Sequence, residues 1–129
     1  MVTVQDFVTL ADELIKESGS PIKVRSAVSR AYYGAYHAAK TFHDELPIKG
    51  AVLHKGCGIH EQLIQCLENP MVPHSDQLYN KSKSLGFLLR RVRKCRSDAD
   101  YEITVSFPIE NAKTSIAEAK KIIEKSTSI

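Results

Sequence analysis

The sequence predicts an all-α fold, five helices in an up-and-down antiparallel bundle. Two observations carry this expectation. Apolar residues recur at intervals of three and four in five stretches, most of them opened by a capping residue or a proline. The one alternating segment, from Tyr101 to Phe107, has no second strand to pair with and reads as an extended linker. At 129 residues the chain can bury one core, so a single domain over 1–129 is expected.

The first helix is expected near 3–18. Thr3 and Asp6 are spaced as a cap ahead of Phe7, Leu10, Ala11, Leu14 and Ile15, and Ser18-Gly19 ends the pattern. The second is expected over 21–46, with Ser20 as its cap and Pro21 at its first position, until Pro47 stops it. Its central stretch, Arg25 to Lys40, carries Ala27, Val28, Ala31, Ala35, Ala38 and Ala39 on one face, followed by Phe42. Alanines and Gly34 allow close helix packing there, and Tyr32, Tyr33 and Tyr36 add bulk with polar tips.

Residues 47–58, PIKGAVLHKGCG, lack a sustained period and read as a loop. A short third helix is expected over 58–68, carried by Ile59, Leu63, Ile64 and Leu67. Ser75 and Asp76 open a fourth over 75–97, with Leu78, Leu85, Leu88, Leu89, Val92 and Cys95 as its stripe. Pro108 opens a fifth over 108–126, buried through Ile109, Ala112, Ile116, Ala119, Ile122 and Ile123. The expected core includes Leu14, Ala31, Ala35, Ala38, Leu63, Leu88, Val92, Ile116 and Ile123.

Composition narrows the functional classes. Hydrophobic residues at 43% and charged residues at 26% exclude disordered and fibrous chains. No apolar run approaches the ~20 residues of a membrane span, and the N-terminus lacks the pattern of a signal peptide, so a cytoplasmic protein is expected. Cys57, Cys66 and Cys95 are odd in number and widely spaced, which suggests neither a disulfide framework nor a zinc site. No metal or cofactor is expected. The net charge of +3 permits nucleic-acid binding without requiring it.

Arg30 and His37 are seven residues apart, which on a helix brings them to within about 20° of one azimuth and separates them by about 10.5 Å. An arginine that holds a phosphate and a histidine that moves a proton would suit a metal-independent nuclease, whereas an ion pair and a core histidine are the structural alternative. Tyr33 lies between them, to stack on a base or to pack in the core. His54 and His60 flank a glycine-rich segment without enough companions for a metal site. His60 is read as a helix cap or loop anchor, and His43 and His74 as surface residues. Arg90, Arg91, Arg93, Lys94 and Arg96 oppose the negative end of the fourth helix dipole; a solvated helix face is the ordinary reading of this run, and a surface for RNA or an acidic partner is the alternative. Asp100 is expected to pair with Arg30 or Arg96, and Arg30, Asp100 and Tyr101 are expected to form one structural lock.

Three motifs carry a family resemblance: SAVSRAYYGAYHAAK from Ser26, GCGIHEQLIQCL from Gly56 and LRRVRKCRSDADYEI from Leu89. In order and spacing they resemble a small prokaryotic branch of the HEPN domain superfamily with R-A-Y-Y and R-x-x-A-D-Y signatures. The resemblance implies a HEPN-like up-and-down bundle, often a homodimer, in a superfamily rich in RNA-cleaving toxins and phage-defence proteins. It implies motif positions at Arg30, His37, Arg96, Asp100 and Tyr101, with catalytic roles for Arg30 and His37. From the residues themselves, Tyr33, Arg90, Arg93, Lys94 and Arg96 are expected to contact RNA or a partner, and His60, Asp100 and Tyr101 to be structural. The nuclease signature of the superfamily lies late in the domain, where this chain offers Arg96 and Tyr101 without a histidine. A non-catalytic module that binds RNA, a nucleotide or a nucleotidyltransferase-type antitoxin is therefore the alternative.

Overall fold

A computed structural model describes residues 1–16 and 20–128. Five helices, α1 Val4–Lys16, α2 Pro21–Asp44, α3 Ile59–Glu68, α4 Gln77–Tyr101 and α5 Ile109–Thr127, account for its regular structure, with no strand among the described residues. The expected end of the first helix near Ser18-Gly19 lies outside the described residues.

Local chemistry explains most of the starts. Thr3 and Asp6 form a reciprocal box: the Thr3 N–H donates to Asp6 Oδ2 at 2.8 Å, and the Asp6 N–H donates to Thr3 Oγ1 at 3.2 Å. Asp76 caps α4 by accepting from the Leu78 N–H at 2.9 Å. Pro21 occupies the first turn of α2, but the Ser20 side chain makes no capping bond. The fixed proline φ and its missing N–H suffice there.

α2 packs against all four other helices. Contacts run in opposite order along α1 and α2, where Gly34 meets Val4 and Phe7 while Ile15 packs against the cluster that holds Val24 and Val28. The same holds for α2 with α4, α3 with α4, and α4 with α5. Because α2 and α3 are both antiparallel to α4, they run in the same sense, and the strict alternation expected from the sequence is broken once. Segment 45–58 carries the chain back, and it is anchored: Gln65 Oε1 accepts from the Leu53 and His54 N–H groups at 2.9 Å each, and the Gly50 N–H donates to His43 Nε2 at 3.1 Å. His43 is thus a loop anchor rather than a free surface residue.

The main core joins Ala31, Tyr32 and Ala35 to Ile64, Leu67, Leu85, Leu89, Val92 and Ile122. Each large aliphatic residue there contributes about 1.5–3 kcal/mol through burial. Of the expected core, Ala31, Ala35, Ala38, Leu63, Val92 and Ile116 are buried, while Leu14, Leu88 and Ile123 are half-buried. Gly86 lets α3 approach, since a Cβ there would lie 2.9 Å from the Glu68 backbone nitrogen.

α4 runs four residues past the expected boundary at Ser97. Arg25 is the reason: its guanidinium donates to the carbonyls of Ala99 at 2.9 Å and Glu102 at 3.2 Å and also to that of Val105, while it lies over the Phe107 ring. A cation that meets otherwise orphaned carbonyls stabilises a helix C-terminus.

Candidate functional site

The side chains with the most chemistry gather where the middle of α2 meets the N-terminus of α3 and the second half of α4. α2 contributes Arg30, Tyr32, Tyr33, Tyr36 and His37. The helical period sets Tyr32 and Tyr36 toward the core, at 1% and 6% exposure, and leaves His37 exposed. α1 adds Phe7, whose ring stacks on His37 at 5.9 Å and tilts against Tyr33 at 6.5 Å. Arg30 lies over the Tyr33 ring, with Cζ 5.3 Å from its centroid. Arg30, Tyr33 and His37 therefore form one surface with Phe7 between them, as their spacing predicts.

Arg96 enters the same cluster from α4. It donates from Nη2 to Tyr33 Oη at 2.8 Å, and its Cζ lies 5.4 Å from the Tyr32 and Tyr33 ring centroids and 5.8 Å from that of Tyr101. Asp100 approaches Arg96 Nε at 3.0 Å and accepts from Ser29 Oγ at 3.3 Å. The Arg96 Nε–H is not aimed at that carboxylate, so the contact is one of charge rather than a linear hydrogen bond. This corrects the expected lock. Asp100 pairs with Arg96, four residues earlier on its own helix, and Arg30 turns to Tyr33.

His60 sits in the first turn of α3. It does not cap that helix, whose N-cap is Gly58 without a side-chain bond. Instead Nδ1 lies 2.6 Å from Tyr32 Oη, and the ring packs against Tyr36 with centroids 4.3 Å apart. Burial, then the positive charges of Arg93 and Arg96, then His37, hold the His60 pKa below the ordinary imidazole value. Burial pushes the Tyr32 phenol well above its own ordinary range, so it stays protonated.

The remaining basic residues of the α4 run are committed to ion pairs. Arg90 bridges Glu61 and Glu68 at 2.8 Å each, Arg93 meets Glu61 at 2.9 Å, Arg91 meets Glu118 at 2.7 Å, and Lys94 meets Asp98 at 2.7 Å. Only Arg93 and Arg96 of this run face His60. Arg90, Arg91 and Lys94 instead border a cavity of about 810 Å³, which lies between α4, α5 and segment 102–107 and is walled by Phe87, Cys95 and Phe107. Among the described residues no group of three or more His, Cys, Asp or Glu side chains is arranged to hold a metal, and no helix is long and apolar enough to cross a membrane. The three cysteines are free and half-buried.

Sequence reasoning missed the Tyr32–His60 contact. Its signal was present, because His60 precedes Leu63, Ile64 and Leu67 by three, four and seven residues and so shares their buried stripe. No protein-family model, curated protein or solved structure matches this chain.

Proposed function

We propose that this chain is a HEPN-like module whose α2–α3–α4 face binds single-stranded RNA and cleaves it without a metal. The single observation behind this reading is the shared surface of Arg30, Tyr33, Phe7 and His37, where a cation and aromatic faces lie beside an exposed imidazole. Aromatic faces accept stacked bases, and arginine suits the phosphate between them. In the reaction the ribose 2′-oxygen attacks the adjacent phosphorus while His37 takes its proton. The phosphorus–O5′ bond then breaks and O5′ takes a proton from solvent, leaving a 2′,3′-cyclic phosphate and a 5′-hydroxyl. Arg30 stabilises the charge that builds on the phosphoryl oxygens.

One observation favours a second reading, binding without cutting. Arg96 is engaged by Asp100 and Tyr33, and Arg93 by Glu61, which leaves Arg30, held over the Tyr33 ring, to meet a phosphate on this face. The test is to incubate the protein with mixed RNA in EDTA beside Arg30→Ala/His37→Ala. Products ending in cyclic phosphate from the wild type alone support cleavage. Intact RNA that is nonetheless retained by the wild type supports the binding module.

The resemblance also brings a homodimer and an antitoxin-type partner into the proposal. Phe87, Ile103 and Val105, each more than half exposed, would supply apolar area for a second chain.

A further inference from the structure

The Tyr32–His60 pair is more than a strut between α2 and α3. The Tyr32 hydroxyl is buried, and among the described residues its hydrogen-bond partner is His60 Nδ1, at 2.6 Å. A buried phenol proton left without an acceptor is costly, so the hydroxyl donates to Nδ1. A neutral imidazole whose Nδ1 accepts must carry its proton on Nε2. Protonating the ring would set two donors, Nδ1–H and the phenol, against each other.

The surroundings oppose protonation in the same sense. Tyr32, Tyr33, Tyr36 and His37 face the ring from α2, Arg93 and Arg96 act on it from α4, and Glu61 beside it on α3 is drawn away into its pairs with Arg90 and Arg93. The ring is half-buried, and among the described residues no hydrogen bond occupies Nε2. What results is a neutral N–H donor with a fixed tautomer, set in a positive field and walled by aromatic faces. A positive field favours an anionic acceptor, and the aromatic walls favour one that carries rings.

We infer that His60 is a positioning residue that donates its Nε2–H to a non-bridging phosphate oxygen of the bound nucleic acid, with Tyr32 fixing the tautomer that makes this possible. The inference rests on the reading of this face as an RNA site, and it separates roles: His37 moves the proton, and His60 holds the phosphate as a neutral donor.

The experiment is nitrogen-15 NMR of the histidine rings in the free protein and on titration with a short 2′-O-methyl RNA oligonucleotide, which cannot be cleaved through its 2′-oxygen. In the free protein His60 Nε2 should carry the proton and Nδ1 should be bare, and the Nε2 resonance should move and saturate with the oligonucleotide. Glutamine places an amide N–H near the position of Nε2, so His60→Gln should bind within about threefold of wild type. His60→Ala should bind roughly tenfold or more weakly, the factor expected for one charge-assisted hydrogen bond. A proton on Nδ1 in the free protein, or an oligonucleotide that binds wild type and His60→Ala equally, overturns the inference and leaves the RNA reading standing. No binding to the wild type overturns both.

Discussion

Replacing Asp100 with alanine leaves the Arg96 guanidinium as an unpaired cation in a mostly buried site. The two side chains are 15% and 27% exposed, with Nε and Oδ2 3.0 Å apart. Breaking a fully buried pair costs about 3–5 kcal/mol, and an exposed pair contributes at most about 1 kcal/mol. Intermediate exposure places Asp100→Ala at about 2–3 kcal/mol. Arg96→Ala should cost about 3 kcal/mol, because it also removes the bond to Tyr33 and the cation–π contacts with Tyr32, Tyr33 and Tyr101. Urea unfolding of both single variants and of the double variant should give a coupling energy of about 1–2 kcal/mol. The same cycle with Arg30 and Asp100 should give coupling within about 0.5 kcal/mol of zero. Additive losses for Arg96 with Asp100, or strong coupling of Asp100 to Arg30, would refute this assignment of the cluster.

Gly86→Ala should destabilise by about 1–2 kcal/mol in urea, although alanine is the better helix former, because its Cβ would press on the backbone of Glu68. Arg25→Ala should cost about 1–3 kcal/mol and raise amide exchange in the last turn of α4, where its guanidinium meets the carbonyls; Arg25→Lys should not restore both. Burial depresses the pKa of His43 and of His60, so the unfolded chain binds protons first as pH falls. Stability should therefore be full above about pH 6.5 and decline below it toward the folded pKa values, and a urea midpoint unchanged between pH 7.5 and 5.5 would contradict this. Light scattering should find a dimer that Phe87→Glu/Val105→Glu converts to monomer, and a monomeric wild type at high concentration would remove the dimer from the proposal.

Signals confined to a few residues were legible in the sequence. The Thr3–Asp6 box, Pro21 in the first turn, and Asp76 ahead of α4 each act within a turn, so their chemistry is visible in neighbouring letters. The end of α4 was not legible. Ser97, Asp98 and Asp100 are weak helix formers, and the group that keeps them helical, Arg25, is more than seventy residues away. That boundary also misdirected the partner of Asp100: with the helix stopped at Ser97, Arg96 and Asp100 are not one turn apart, and Arg30 looks equally suitable. On the candidate face, the common azimuth of Arg30, Tyr33 and His37 followed from the period of one helix, whereas Tyr32 and His60 meet only because α3 lies beside α2. In the RRVRK run the sequence displays only the charge, because the carboxylates that pair with its arginines, Glu61, Glu68 and Glu118, lie on other helices.

RNA engagement by the α2–α3–α4 face is tested most directly by fluorescence anisotropy of a labelled single-stranded 2′-O-methyl RNA, titrated with wild type and with Arg30→Ala/His37→Ala at two salt concentrations. Binding by the wild type should saturate and weaken as salt rises, and binding by the double variant should be at least about tenfold weaker. Equal affinity for both proteins, or no binding by either, would contradict it.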